Sequence, residues 1–116
     1  MKIVLVDDDP DLIELMYLAL DQAGHDVTAA PSGVSILSTI NSQHPDLLIT
    51  DLMMAEMDGL ELCQATHADV KVIVVSARTD PLWKEKAKGC GAIGYIEKPI
   101  DALTFAAEVE HLCAKG

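Results

Sequence analysis

Short apolar segments alternate with segments of helical period five times along this chain, and this alternation limits the fold more than any other feature of the sequence. The apolar segments are predicted strands at residues 2–7, 26–30, 46–51, 71–76 and 92–98. Because a helical connection between neighbouring strands makes them run parallel, the pattern predicts five β-α units that share one parallel sheet.

Helix-boundary residues place the connecting helices. Asp9 is the predicted N-cap, Pro10 the first helical residue and Gly24 the stop of the first helix. Ser32 is the predicted cap of the second helix, which ends by residues 44–45. The remaining helices are predicted from the Asp-Gly pair at 58–59 to about residue 67, over residues 81–90, and over residues 101–113.

The composition of the strands predicts their order in the sheet. The first, third and fourth are near-continuous branched aliphatics at residues 3–6, 47–49 and 72–75, which is typical of strands buried on both faces. The second and fifth carry Thr28, Ala29, Gly94 and Tyr95 and therefore suit the edges. With right-handed crossovers we expect an α/β fold, a doubly wound five-stranded parallel sheet of flavodoxin-like order 2-1-3-4-5 with helices on both faces.

Length and charge exclude several classes of protein. A chain of 116 residues, half of them hydrophobic, predicts one domain spanning residues 1–116 with no output domain. Nineteen acidic residues against eight basic residues give a net charge of -11, so we expect no direct nucleic-acid binding and no membrane binding. The amino terminus lacks a signal-peptide pattern and the three cysteines form no Cys-x-x-Cys pair, so a cytoplasmic location is expected.

Polar side chains stand at the predicted carboxyl ends of four strands. Asp7 and Asp8 follow the first strand, and Asp51, Ser76 and Lys98 stand at the ends of the third, fourth and fifth. In a parallel sheet these ends share one edge, and the reversal of strand order places a cleft among the aspartates. Such carboxylates favour a cation such as Mg²⁺, and a lysine beside them favours phosphoryl chemistry with Asp51 as nucleophile. Any one aspartate alone would be interpreted as a cap or turn residue, which does not explain four strand ends.

The same strand ends carry the motifs of a known family. The motifs are Val-Asp-Asp-Asp-Pro at residues 6–10, Asp-Leu-Met-Met-Ala-Glu-Met-Asp-Gly at 51–59, Ser-Ala-Arg at 76–78 and Tyr-Ile-Glu-Lys-Pro at 95–99. With these motifs in this order, the chain resembles a response-regulator receiver domain of two-component signal transduction over essentially its whole length. The resemblance implies a phosphorelay receiver that accepts a phosphoryl group from a phosphohistidine onto Asp51 in a Mg-dependent reaction. It also implies no enzymatic activity beyond the chain's own phosphorylation and slow dephosphorylation.

The resemblance further implies a role for each site residue. Mg²⁺, or Mn²⁺ in its place, is expected on Asp8, Asp51, the backbone carbonyl of Met53 and, through water, Asp7. Ser76 and Lys98 are expected to contact the phosphoryl group. The Lys98–Pro99 peptide bond is expected to be cis.

Partners are implied in the same way. Ser76 and Tyr95 are expected to switch together and to change the face of helix 4, strand 5 and helix 5, where an effector or a second copy binds. The alternative for Tyr95 is a half-buried edge-strand aromatic without a switching role. In the first helix the period assigns residues 12, 13, 16, 19 and 20 to the core and leaves Leu15 and Leu18 for docking a histidine kinase or histidine phosphotransfer domain. Single exposed leucines are also common without any function.

Three other functions are compatible with parts of the pattern. A flavodoxin-like cofactor module shares the strand order, but the loop at residues 7–10 presents negative charge where a flavin phosphate needs donors. An aspartate-nucleophile phosphatase generally has a second aspartate two residues after the nucleophile, where this chain has Met53. A degenerate receiver would act as a phosphorylation-independent protein-interaction module, and the complete set of site residues argues against it.

Overall fold

The computed structural model describes residues 1–30, 33–52, 58–66 and 68–115, excluding the side chains of residues 33–35. Its strands are β1 (Lys2–Val6), β2 (Asp26–Ala30), β3 (Leu47–Thr50), β4 (Lys71–Ser76) and β5 (Gly94–Glu97). Its helices are α1 (Pro10–Gln22), α2 (Gly33–Gln43), α3 (Gly59–Thr66), α4 (Pro81–Gly89) and α5 (Phe105–Lys115). The predicted cap Ser32, the predicted ligand Met53 and the predicted helix end at His67 lie outside the described residues.

The strands form one parallel sheet in the order β2-β1-β3-β4-β5, which confirms the predicted doubly wound arrangement. Its register aligns the carboxyl ends, because Val6 pairs with both Ala30 and Thr50, and Ser76 pairs with Glu97. β1, β3 and β5 each end one residue before a predicted site residue. The site residues therefore begin where the hydrogen-bonded ladder stops, at one edge of the sheet.

The sheet is covered on both faces, as its aliphatic central strands require. One core cluster joins the sheet to α1 and α5, and includes Leu5, Ile49, Met16 and Phe105. On the opposite face a second cluster packs under α2 and α3, and a smaller third cluster packs under α4. Each large apolar side chain buried in this way stabilises the fold by about 1.5–3 kcal/mol. The strand ends are thereby held in fixed directions.

Helix α1 begins and ends where the sequence predicts. Asp9 Oδ1 accepts two backbone amides of the first turn, at 3.0 and 3.4 Å, and Pro10 is the first helical residue. After the helix ends, Gly24 adopts a φ of 92°, a left-handed backbone that favours glycine. The predicted core positions of α1 pack into the first core cluster. With 13 residues α1 is the longest of the described helices, and none of them is long and apolar enough to cross a membrane.

The predicted start of the fifth helix at residue 101 is wrong by about one turn. The Asp101 carboxylate accepts the Leu103 amide at 2.9 Å, and its carbonyl accepts the amides of Thr104 and Phe105 at 3.2 and 2.9 Å. The Asp101 carboxylate closes a turn by binding the amide two residues on, and residues 102–104 form this turn ahead of the helix. α5 therefore begins at Phe105, and the turn leaves Leu103 94% exposed.

Candidate functional site

Asp51 lies directly after β3 and accepts hydrogen bonds at both of its carboxylate oxygens. Its amide donates to the Val6 carbonyl at 3.2 Å, which fixes the residue beside the end of β1. Oδ1 accepts from the Leu52 amide at 2.7 Å, and Oδ2 accepts from the Lys98 ammonium at 3.0 Å. The side chain is 13% exposed, so its carboxylate meets solvent while the protein sets its direction.

Asp7 completes a charge cluster with Asp51 and Lys98. Lys98 Nζ lies 3.0 Å from Asp7 Oδ2, the same distance as from Asp51 Oδ2. Asp7 Oδ1 accepts the Asp9 amide at 2.9 Å, whereas the buried Oδ2 has the ion pair but no hydrogen bond of suitable geometry among the described residues. Two carboxylates therefore share one ammonium, and Asp7 retains an oxygen with capacity for water or a further cation.

Burial opposes the charged forms in this cluster, and the opposite charges favour them. Burial raises the pKa of the Asp7 carboxyl and the Asp51 charge adds to the rise, while the Asp9 amide and Lys98 offset only part of it. Burial alone would lower the pKa of Lys98, but its bonds and charge attraction to Asp51 and Asp7 outweigh burial and raise that pKa. Lys98 is therefore positively charged at neutral pH. Keeping Asp7 ionised in the folded state lowers the free energy of unfolding.

Asp7→Asn is expected to stabilise the metal-free protein at neutral pH by about 0.5–2 kcal/mol. Because folding raises the pKa of Asp7, the native state binds this proton more tightly than the unfolded state. Ionised Asp7 therefore lowers the free energy of unfolding of the wild type at pH values above its folded pKa. This destabilisation disappears as the pH falls through that pKa. Urea unfolding with a chelator between about pH 7 and pH 4 measures the difference, which should shrink toward acid pH.

Asp69→Asn, at an exposed turn, is the matched control for this prediction. It removes the same charge from a solvated position and should change the free energy of unfolding by less than about 0.5 kcal/mol. An Asp7→Asn protein that is no more stable than the wild type would contradict the prediction.

The carboxylates at this edge suit a hard divalent cation. Asp8 is exposed and, with Asp7, lines a cavity of about 380 Å³ between α1 and the end of β2. Within the described residues no three acidic, histidine or cysteine side chains converge closely enough to form a metal site alone. Mg²⁺ usually takes one or two carboxylates and adds water, backbone and phosphate oxygens. The carboxylates of Asp8 and Asp51, with Asp7 beside them, fit such a shell.

Ser76 is connected to Tyr95 through the backbone of Arg78, a link that the sequence did not reveal. The Arg78 amide donates to Ser76 Oγ at 3.1 Å, and the Arg78 carbonyl accepts the Tyr95 hydroxyl at 2.7 Å. The Lys98 amide donates to the Ser76 carbonyl at 2.8 Å. The loop after β4 therefore joins the buried serine, the lysine of the charge cluster and the aromatic residue of β5. The motif at 76–78 includes Arg78, but it does not indicate this link because the contacts use the backbone amide and carbonyl.

Gly59, at the start of α3, packs directly against the backbone of Asp51. A Cβ atom at this position would overlap the Asp51 carbonyl oxygen and would lie 2.9 Å from the Cα of Leu52. The Gly59 amide donates to the Leu52 carbonyl at 2.8 Å. Its φ lies outside the left-handed region, so space rather than backbone conformation requires glycine here. The sequence marked this Asp-Gly pair only as a helix start.

Helix α4 and the loop before it carry a basic patch, which consists of Arg78, Lys84, Lys86 and Lys88. These are four of the chain's eight basic residues, and only two of its nineteen acidic residues lie in the same segment, 78–88. Arg78 and Lys86 lie over the Trp83 ring, at 5.4 and 4.8 Å from its centroid. Lys84 lies 6.0 Å from the Tyr95 ring centroid and forms an ion pair with Glu97. The basic patch is therefore ordered around two aromatic rings.

An apolar surface adjoins Lys98 on the side of α1. Leu15 and Leu18 are 37% and 47% exposed. Leu15 lines a cavity of about 340 Å³ that reaches Lys98, and the lining includes Leu12, Ala77, Pro99 and Ile100. Leu18 does not line this cavity. The Lys98–Pro99 peptide bond is cis. An apolar surface thus lies next to the candidate phosphoacceptor.

The fold and the site define a parallel α/β domain in which a lysine binds a partly exposed carboxylate at the carboxyl edge of the sheet. The model of the response regulator receiver domain family matches residues 3–110, and the chain belongs to this family. This confirms the resemblance seen in the strand-end motifs.

Individual relatives agree with this assignment. The chain is 32% identical over 110 residues to the DNA-binding response regulator MtrA of Mycolicibacterium smegmatis, covering 93% of this chain and 48% of MtrA. It is 34% identical over 109 residues to the transcriptional regulatory protein CseB of Streptomyces coelicolor, covering 92% and 47%. The chain thus spans about half the length of these relatives.

Solved structures show the same fold. The receiver domain of NarL from Mycobacterium tuberculosis superposes with a TM-score of 0.88 at 29% identity, covering 99% of this chain and 96% of that one. The chemotaxis response regulator CheY4 of Vibrio cholerae gives a TM-score of 0.89 at 25% identity, covering 96% and 97%. These neighbours match the flavodoxin-like arrangement of the sheet.

Proposed function

We propose that this protein is a phosphorelay receiver in which Asp51 accepts a phosphoryl group from a phosphohistidine. One observation carries the proposal: the Asp51 carboxylate is partly exposed at the carboxyl edge of the sheet, with the Lys98 ammonium 3.0 Å from one oxygen. Membership of the receiver family supports it. The phosphohistidine would belong to a histidine kinase or a histidine phosphotransfer domain.

The role of each residue follows from its position. Asp51 is the nucleophile, and its ionised carboxylate needs no base to remove a proton before it attacks phosphorus. Lys98 stands ready to neutralise a phosphoryl oxygen, and Ser76 places a hydroxyl at the neighbouring strand end. When bound, Mg²⁺ would be held by Asp8 and Asp51, with Asp7 acting through water, and would supply positive charge at the transferring group. Met53, two residues after the acceptor, cannot hold a catalytic proton, so we infer only slow loss of the phosphoryl group.

The intact mass of the chain after incubation with phosphoramidate tests the proposal. With Mg²⁺ or Mn²⁺ the wild type should gain one phosphoryl group, and hydroxylamine should remove it as expected for an acyl phosphate. The gain should be absent with a chelator and in Asp51→Asn. Asp46→Asn, at the opposite end of the third strand, is the matched control and should be phosphorylated like the wild type.

Two other results would each identify a different function. No phosphoryl gain with phosphoramidate or with a protein phosphodonor would favour the degenerate receiver that acts by binding alone. Rapid release of phosphate from an excess of donor, without accumulation of the phosphorylated chain, would favour a phosphatase instead of a receiver.

We also infer that α4, β5 and α5 form the face that responds to phosphorylation. A phosphoryl group on Asp51 adds charge and acceptor oxygens beside Lys98 and draws the Ser76 hydroxyl toward it. Ser76 Oγ would then release the Arg78 amide, and the Arg78 carbonyl would no longer hold the Tyr95 hydroxyl in place. Tyr95 packs in the third core cluster with Trp83, so a change at Asp51 would reach α4. An effector or a second copy of the chain would read this face.

Tyr95→Ala is expected to leave phosphorylation of Asp51 intact while reducing the response of α4 by at least about half. Trp83 is the only tryptophan of the chain, and its fluorescence before and after phosphorylation reports on α4. Tyr17→Ala, the other tyrosine, lies on the exposed side of α1 and is the matched control. An equal fluorescence change in the Tyr95→Ala protein and the wild type would show that Tyr95 has no switching role.

We further propose that Leu15 and Leu18 contact the phosphodonor protein, because both are exposed on α1 and Leu15 lines the apolar cavity that reaches Lys98. Replacing both by serine is expected to slow phosphoryl transfer from a histidine phosphotransfer domain by about tenfold or more, as for a loss of 1–2 kcal/mol of contact. The rate with phosphoramidate should not change. Leu82→Ser, on exposed α4, is the control. Equal slowing with both donors would place the defect in the site instead of the docking surface.

A further inference from the structure

Two of the three cysteines contact each other at a place remote from the charge cluster. Cys63 of α3 is fully buried, and its thiol donates to the Cys90 carbonyl at 3.2 Å. Cys90 is the C-cap of α4 and is partly exposed. Both residues pack against the second core cluster, although 27 positions separate them in the chain. Cys113 belongs to the first cluster, on the opposite face of the sheet.

The contact places the Cys63 sulfur close to the backbone of Cys90. A carbonyl oxygen lies about 2.4 Å from the Cα of its own residue, so the Cys63 sulfur lies within about 5.6 Å of the Cys90 Cα. Disulfides join residues whose Cα atoms are about 4.4–6.8 Å apart and whose Cβ atoms are about 3.5–4.5 Å apart. Cys113 cannot take part without disrupting the sheet that separates it from the pair.

We propose that Cys63 and Cys90 form a reversible disulfide when a two-electron oxidant such as hydrogen peroxide is present. In the first step the Cys90 sulfur attacks a peroxide oxygen, the O–O bond breaks, and the thiol proton leaves with the departing hydroxide as water. Cys90 is then a sulfenic acid. In the second step the Cys63 sulfur attacks the Cys90 sulfur, the S–O bond breaks, and the hydroxyl leaves with the Cys63 proton as a second water.

The order of the two steps follows from the surroundings of each thiol. Cys90 is the partly exposed member and is the one that meets the oxidant. Burial, together with the nearby Cys90, raises the pKa of the Cys63 thiol to about 11, so Cys63 is a protonated thiol at neutral pH. Cys90 is therefore oxidised first, and the buried Cys63 then forms the disulfide with it.

The disulfide would tie α3 to the turn between α4 and β5. Gly91 in that turn has a φ of 104°, and the Ile93 amide bonds the Val72 carbonyl at 2.8 Å before β5 begins. A bond at Cys90 would therefore fix the carboxyl end of α4 against α3 while leaving Asp51 untouched. The inference does not depend on the proposed phosphoryl transfer, since neither cysteine belongs to the charge cluster.

Oxidation of the folded chain with hydrogen peroxide, followed by intact-mass analysis and non-reducing peptide mapping, tests the proposal. The wild type and Cys113→Ala should each lose two hydrogens, and one peptide pair should link Cys63 to Cys90. Cys63→Ala and Cys90→Ala should not lose them, and dithiothreitol should reverse the change. In the folded chain the Cys63–Cys90 link should exceed each other pairing by about tenfold or more, because geometry selects it, whereas a chain oxidised in urea should give all three pairings.

Three outcomes would overturn the proposal. One is a wild type in which Cys90 gains oxygen while Cys63 can still be alkylated after unfolding. Another is a dominant link that contains Cys113. The third is a link between two chains, shown by a doubled mass. Because the peptide map of the wild type decides among these, the result stands even where an alanine variant folds poorly.

Discussion

Lys98→Met is expected to slow phosphorylation of Asp51 by phosphoramidate about 10²- to 10³-fold, the effect of removing one preorganised charge from a transition state. Methionine keeps the length and the apolar stem of the side chain but lacks the ammonium that lies 3.0 Å from both carboxylates. The same change leaves Asp7, with a side chain only 2% exposed, without its counter-charge. We therefore also expect a loss of about 3 kcal/mol in the free energy of unfolding at neutral pH.

The loss of stability should diminish at acid pH, where Asp7 takes up a proton and no longer needs a cation. Lys84→Met is the matched control, because Lys84 pairs with Glu97 on the surface with side chains 45% and 41% exposed. Such exposed pairs contribute about 0–1 kcal/mol, and the control should be phosphorylated at the wild-type rate. Time courses of intact mass and urea unfolding measure both effects. A Lys98→Met protein that is phosphorylated within about threefold of the wild-type rate would remove Lys98 from the proposed mechanism.

Gly59→Ala is expected to lower the free energy of unfolding by about 1–3 kcal/mol and the phosphorylation rate by about tenfold to a hundredfold. The added methyl group would overlap the Asp51 carbonyl, so either the start of α3 or the backbone of the acceptor must move. Moving the backbone turns the carboxylate away from Lys98, and a misplacement of about 1 Å is enough to slow an oriented reaction strongly.

Gly89→Ala provides the control, because a Cβ atom at Gly89 meets nothing within 4 Å. It lies at the end of α4, so alanine there should change stability by no more than about 1 kcal/mol and leave the phosphorylation rate unaltered. Urea unfolding gives the stability, and phosphorylation measured below the unfolding transition gives the rate for folded chains alone. Equal rates for Gly59→Ala and Gly89→Ala would mean that α3 yields and the acceptor keeps its position.

The architecture could be predicted from the sequence because it depends on periodicity and burial. The aliphatic runs at 47–49 and 72–75 distinguish central from edge strands, and the order of the sheet then brings Asp7, Asp51 and Lys98 to one edge. Local signals such as Asp9 and Pro10 were also sufficient to place α1. Each of these features can be recognised from residue type or spacing in the sequence.

The features that could not be predicted have no recognisable pattern of residue type or spacing. Arg78 joins Ser76 to Tyr95 through its amide and carbonyl, which every residue except proline possesses. The lack of space at Gly59 becomes visible only once α3 has docked on the backbone of Asp51. The turn at Asp101 is closed by the same kind of carboxylate-to-amide contact that begins α1 at Asp9, so residue type alone does not show which of the two forms.

The basic patch on α4 makes the charge distribution of an otherwise acidic molecule uneven. Four of its eight positive charges gather in one segment, whereas the remaining 105 residues hold seventeen of its nineteen acidic side chains. Long-range fields of this kind turn a diffusing protein before contact and change association rates rather than the strength of contacts once formed. A negatively charged molecule would thus meet less repulsion at α4 than elsewhere, and added salt would weaken this difference.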